Sequence, residues 1–147
     1  MIWILKKFDE LIPRELYAIM QLRSEVFVVE QNCVYLDADN KDFHCHHVMG
    51  WQNLKLVAYA RIVPPGISYE EISIGRVVSS PAVRNTGIGT LLMQKSIESA
   101  RSLYPAGSIK IGAQLYLKKF YESFSFIQCS DTYLEDGIPH IEMRLST

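Results

Sequence analysis

Residues 79 to 93, SSPAVRNTGIGTLLM, bring an arginine, two glycines and the start of an apolar helix into one short stretch. A helix start leaves its first backbone N–H groups without intrahelical acceptors, and the helix dipole adds partial positive charge there. An anion is the natural occupant of such a loop. Gly87 and Gly89 permit close backbone approach, and Arg84 can add a charged fork to a phosphate. Asn85, Thr86, Ile88 and Thr90 complete the loop. Two well-known phosphate loops are excluded. A P-loop needs Gly-Lys-Ser/Thr, whereas Gly89 is followed by Thr90 and Leu91. A dinucleotide fingerprint needs a third glycine where Leu92 stands. What remains is Arg-x-x-Gly-x-Gly. Taken alone, it competes with a glycine-rich helix start that holds no ligand.

Other clusters carry less chemistry. Arg23 lies in the middle of the apolar helical face formed by Leu16, Ile19, Met20 and Phe27. An unpaired buried guanidinium is costly, so an internal ion pair with Asp37, Asp39 or Asp42 is expected. A wall of a binding pocket is the alternative. His44, Cys45, His46 and His47 form a run that, on a strand, places two ligands on each face, short of the three or four that zinc needs. The segment DADNKD starts like a calcium loop, but Lys41 and Asp42 take a ligand and the glycine position, and Val48 replaces the closing glutamate. No metal is expected. The three cysteines, Cys33, Cys45 and Cys129, are odd in number and widely spaced, which suits free thiols in a reducing cytoplasm.

The rest of the chain adds context to the loop. The segment IGRVVSS precedes it, and GAQLYLKKFYESFSF follows further on. With the loop, these resemble the GCN5-related N-acetyltransferases (GNAT). There the loop binds the pyrophosphate of acetyl-CoA, and the preceding strand offers its backbone to the pantetheine arm. Tyr121 matches that family's tyrosine, Phe120 the residue before it and Phe126 its closing phenylalanine. Ser125 replaces the usual glycine, and Gln114 stands where many members have asparagine. LRSEVFVVEQ, LVAYARI, IGRVV and EDGIPHIEM narrow the similarity to the ElaA-like acetyltransferases.

The resemblance implies a central mixed, mostly antiparallel twisted sheet of six to seven strands flanked by about four helices. It implies acetyl-CoA as cosubstrate and a small-molecule or peptide amine as acceptor, without nucleic acid or membrane, in a monomer or homodimer. It places Val77, Val78, Ser79, Arg84, Asn85, Thr86, Gly87, Ile88, Gly89, Thr90, Gln114, Phe120 and Tyr121 at the cofactor. Val78 is expected to polarise the thioester carbonyl through its backbone N–H. A phenol of pKa about 10 can protonate a departing thiolate, which makes Tyr121 the candidate general acid. Because Leu117, Phe120 and Phe124 share its helical face, a core tyrosine is the competing reading. Glu30, His140 and Glu142 are candidate bases for the amine, with His47 and Glu71 also available; His140 and Glu142 alternate on one strand and face one side. The carboxylates of Glu30, Asp37, Asp39 and Asp42 would attract a cationic acceptor. Rival functions are an acyl-homoserine-lactone-synthase-like acyltransferase and a non-catalytic CoA-sensing module.

These residues need a scaffold. Across 147 residues the apolar share is 48%, the charged share 21% and the net charge -1. That describes one ordinary globular α/β domain, residues 1–147, and argues against a polyanion-binding surface. No apolar run approaches a membrane span, and the N-terminus lacks the features of a signal peptide. MIWILKK reads as a strand, and Pro13 opens a helix that continues through RELYAIMQLRSEVFVVEQ. Residues 30 to 43 read as a loop. HHVMGW and LVAYARIV form a hairpin, ISIGRVV is the strand before the glycine loop, and the helix after it runs to about Leu103. On that helix Ile88, Leu91, Leu92, Ala100 and Leu103 form the inner face. SIKIGAQ is a strand, LYLKKFYESF a short helix, and FIQCS and HIEMRLS closing strands.

Overall fold

The alternating apolar residues of the first half build an antiparallel meander. A computed structural model describes all residues 1–147. In it β1 (Ile2–Lys7), β2 (His46–Gln52), β3 (Lys55–Val63) and β4 (Ser73–Ser79) pair in that order. The β2–β3 turn uses Asn53 and Leu54, both with positive φ, as a tight two-residue hairpin requires. Side chains alternate across β3. Ala58, Ala60 and Ile62 face the core beneath helix α2 (Ile88–Leu103), and Tyr59 faces the other way, beneath α1 (Pro13–Arg23); Leu56 joins Tyr59 on that side because β3 carries an extra residue opposite Gly50 and Trp51. Each face of this sheet is therefore covered by one helix.

The second half forms its own sheet from β5 (Ile109–Gln114), β8 (Ile138–Leu145) and β6 (Ile127–Gln128), with β7 (Tyr133–Glu135) also on β8. The two sheets meet at a parallel bridge, Ile72 to Ile109, where the Lys110 N–H donates to the Ile72 carbonyl at 2.8 Å. The mixed, mostly antiparallel sheet expected from the resemblance is thus present in two halves joined at this point. The short helix α3 (Lys118–Glu122) follows β5. No helix is long and apolar enough to cross a membrane.

Three details differ from the sequence pattern. The long first helix is α1 followed by a π-helical segment, Ser24–Glu30. The buried stripe keeps ordinary helical spacing into this segment: Ile19, Leu22, Arg23 and Val26, at i, i+3, i+4 and i+7, point inward, while Leu16, Met20 and Phe27 are only partly covered. On α2 the inward residues are Ile88, Leu92, Met93, Ser96 and Ala100; Leu91 is exposed, and Ser96 satisfies its hydroxyl by donating to the Leu92 carbonyl at 2.8 Å. Finally, the chain before β8 holds an unexpected strand, β7, joined to it by a turn at Asp136 and Gly137 with positive φ at both.

Candidate active site

Beyond the bridge, β4 and β5 diverge and leave a cavity of about 700 Å³ between the sheets. One wall is the free edge of β4, where Val77, Val78 and Ser79 all lie. The register sets which backbone groups that edge offers. Tyr59 and Arg61 of β3 face Val78 and Gly75, so β4 carries one extra residue, and Arg76 in this bulge has φ +48°. Past the bulge, the Ser80 N–H donates to the Val57 carbonyl at 2.8 Å, across β3. Alternation turns the Val78 N–H the same way and leaves those of Val77 and Ser79 facing the cavity. The expectation for Val78 is corrected accordingly: its side chain is core and its N–H belongs to the sheet.

The glycine loop closes one end. Gly87 caps α2 with φ +83°, a conformation side chains disfavour, and Asn85 also has positive φ. Gly89 is different. It is helical, and a Cβ there would meet only Phe120, at an ordinary 3.8 Å. Neither backbone nor packing demands glycine at 89, so the open space serves whatever lies against the helix start. Arg84, Asn85, Gly87, Ile88 and Gly89 line the cavity; Thr86 and Thr90 do not, and the Thr86 hydroxyl bonds back to the Val83 carbonyl. The Arg84 guanidinium is already engaged, donating to both Glu30 oxygens at 2.7 and 2.6 Å. An open strand edge, a helix start with room against it and an adjacent arginine together fit a pyrophosphate with an extended arm.

Tyr121 lies on α3 against Phe120 and Phe126, 6% exposed. Its hydroxyl makes no hydrogen bond within the protein, although the side chain lines the cavity. Burial pushes the phenol pKa above its usual value, so it is held protonated. Both readings of this residue therefore meet: the ring is core and the hydroxyl faces the cavity. Gln114 lines the cavity and exchanges amide hydrogen bonds with Gln31, at 3.3 and 3.4 Å.

Among the base candidates, His140 is 7% exposed and lines the cavity. Its Nδ1 sits 2.7 Å from the Ile138 carbonyl, which only accepts, so the proton is on Nδ1 and Nε2 keeps its lone pair in the neutral ring. Nε2 has no hydrogen bond, and Glu135 stands 3.4 Å away. Tyr133 stacks on the imidazole at 5.9 Å. The other candidates are committed elsewhere. Glu142 shares the strand but pairs with Lys110 at 3.2 Å outside the cavity wall. Glu30 is held by Arg84, whose hydrogen bond lowers its pKa and weakens it as a base. His47 is buried between the Tyr59 hydroxyl, 2.7 Å, and the Asp42 carbonyl, 3.0 Å. Glu71 binds Arg144 at 2.9 Å.

The acidic loop is not an acceptor trap. Arg23 holds Asp37 and Asp42 at 2.7 Å each; Arg61 holds Asp39 at 2.6 Å and Asp42 at 2.9 Å. Arg76 joins Asp37 at 2.9 Å, and its guanidinium lies over the Tyr35 ring. Three arginines thus neutralise three aspartates and pin the loop to β3 and the β4 bulge. The internal pairing expected for Arg23 is observed, with Asp37 and Asp42 as its partners. The histidine run does not alternate along one strand: His44 ends a 3-10 turn and β2 begins only at His46. No group of three or more His, Cys, Asp or Glu could hold a metal ion. All three cysteines are free. Sequence reasoning missed Glu135 and Asp136 in the cavity wall; the Asp-Gly turn signal in EDGIPHIEM was available to locate them.

Comparison with known proteins places this geometry. A GNAT acetyltransferase domain model matches residues 18–147. Protein ElaA of Escherichia coli is 47% identical over 137 residues, 92% of this chain and 90% of that protein. Its crystal structure superposes with a TM-score of 0.92 at 44% identity, covering 97% of both chains. An acyl-CoA N-acyltransferase from Pseudomonas aeruginosa gives a TM-score of 0.93 at 41% identity, also over 97% of both. An aminoglycoside 6'-N-acetyltransferase complexed with coenzyme A shares the fold, with a TM-score of 0.71 at 17% identity over 97% of this chain and 96% of that one.

Proposed function

This chain belongs to the GNAT acetyltransferase family, and from that premise we propose that it transfers the acetyl group of acetyl-CoA directly to an amine. The observation that carries the reading is the Tyr121 hydroxyl, buried and unpartnered in the same cavity as the glycine loop. Acetyl-CoA supplies an activated thioester. The Gly87–Gly89 helix start and Arg84 hold its pyrophosphate, and the free N–H of Ser79 holds the pantetheine arm. The Val77 N–H, next to the bulge, polarises the thioester carbonyl. His140 Nε2 takes a proton from the acceptor ammonium, and the freed nitrogen lone pair forms the new C–N bond. The C–S bond breaks as Tyr121 gives its proton to the departing thiolate, and the second proton of the new amide nitrogen leaves through water and restores the phenol.

The first test needs no acceptor. CoA and acetyl-CoA should both raise the thermal midpoint, because a ligand of the folded state alone stabilises it by mass action, whereas adenine dinucleotides should not. A flat response to both CoA species overturns the cofactor assignment. A turnover screen over amines then identifies the acceptor.

A further inference from the structure

Three charged side chains of the cavity wall are held in arginine–carboxylate pairs. Glu30 pairs with Arg84, and Arg76 pairs with Asp37 and Asp39. Two carboxylates are left over, Glu135 and Asp136, consecutive in the β7–β8 turn. No arginine or lysine joins either of them. Beside them lies His140, more than nine-tenths buried, whose Nε2 has no hydrogen bond and faces the cavity 3.4 Å from Glu135 Oε2. The Cys33 thiol donates to the Asp136 carbonyl at 3.4 Å, which ties this turn to the segment after the π-helix. This part of the cavity wall therefore carries two carboxylates that no arginine or lysine joins, beside an imidazole whose Nε2 makes no hydrogen bond.

Resting on the acetyltransferase reading, we propose that the acceptor is a short diamine bearing two positive charges. One ammonium lies between Glu135 and His140 Nε2, where it can lose its proton to the imidazole. The second is held by Asp136. A monoamine leaves one carboxylate unmatched, and an amino acid sets its own carboxylate against both. Selection thus rests on charge number, with Glu135 and Asp136 as the residues that read it.

The experiment is calorimetric titration of the CoA-loaded protein with butanediamine, butylamine and aminobutanoate, so that affinity is read without turnover. The diamine should bind about tenfold more tightly than the monoamine, the scale of one charge-assisted contact, and aminobutanoate should bind weakest. Glu135 is 59% exposed in its side chain and Asp136 is exposed, and Asn tolerates the positive φ at 136. The E135Q/D136N double variant should therefore fold, bind CoA as wild type does and lose the preference for the diamine. Equal binding of the diamine and monoamine, no binding of either, or a preference that survives the double substitution overturns the proposal. Failure of the wild type to bind CoA overturns the acetyltransferase reading itself, and the diamine proposal with it.

Discussion

Arg23 and Arg84 grip their carboxylates at almost the same distances, 2.7 Å for the first and 2.6 to 2.7 Å for the second. Their surroundings are opposite. The Arg23 side chain is 0% exposed and belongs to a network of three arginines and three aspartates, whereas Arg84 and Glu30 are 38% and 41% exposed. In the interior, removing one member strands a desolvated charge. At the cavity mouth water screens the pair, and another anion can replace the carboxylate. Equal geometry thus gives a fixed clamp in one place and an exchangeable contact in the other. The clamp holds the loop on the β4 bulge that shapes the free edge; the exchangeable pair holds the arginine beside the glycine loop.

The largest effect should come from breaking the clamp. Asp42 bridges Arg23 and Arg61, so Asp42→Ala should cost about 3–5 kcal/mol of stability in denaturant titration. Burial alone would raise the Asp42 pKa, but the hydrogen bonds and charges of the two arginines outweigh it and hold the carboxyl below its ordinary value. A depressed folded pKa stabilises above the unfolded pKa and is lost as pH falls through the folded one. Wild-type stability should therefore drop below about pH 4, and the variant should show a shallower acid limb. A loss under about 1 kcal/mol would mean the network is no clamp.

Tyr121→Phe comes next, because it keeps the ring against Phe120 and Phe126 and removes only the hydroxyl. General acid catalysis contributes about 10²–10⁴-fold, so kcat should fall in that range with CoA affinity and thermal midpoint nearly unchanged. A fall below about threefold would assign the proton to water or another group. Gly89→Val should then weaken CoA binding by roughly 10–100-fold, since the nearest protein atom to a Cβ there is 3.8 Å away and the fold can accept it. Wild-type CoA affinity in this variant would remove the pyrophosphate from the loop.

The same contrast explains what the sequence made legible. The glycine loop and the Arg23 pairing could be read because each is a local rule: a helix start orphans N–H groups, and a buried guanidinium requires carboxylates. The α2 helix was legible from periodicity, apart from Leu91. The π-helical segment was hidden, because its residues have ordinary helix character and nothing in their spacing marks the widened turn. Strand β7, at three residues, is too short for a period to show. The Val77 edge depends on the one-residue bulge at Arg76, a register property between strands that no single segment carries. Likewise, the neutrality of the acidic loop depends on Arg61 and Arg76, which lie on β3 and β4, distant in sequence from Asp37 to Asp42.

The smallest predicted effect tests the exchangeable side most directly. If Glu30 occupies the fork that a pyrophosphate takes, the carboxylate competes with the cofactor for Arg84. Glu30→Gln removes the negative charge while keeping the shape, so Arg84 is freed and CoA should bind a few-fold more tightly in calorimetry. Arg84→Ala should act in the opposite direction and weaken CoA binding. In the double variant the Glu30 substitution should no longer matter, because its effect runs through the arginine. The sign is the decisive quantity. A structural partner that merely oriented Arg84 toward the loop would weaken binding when lost, as would a Glu30 that contacts the cofactor itself. Only competition makes the loss of a 2.6 Å ion pair improve affinity, and raising the salt concentration should narrow the gap between wild type and Glu30→Gln by screening the pair that differs between them.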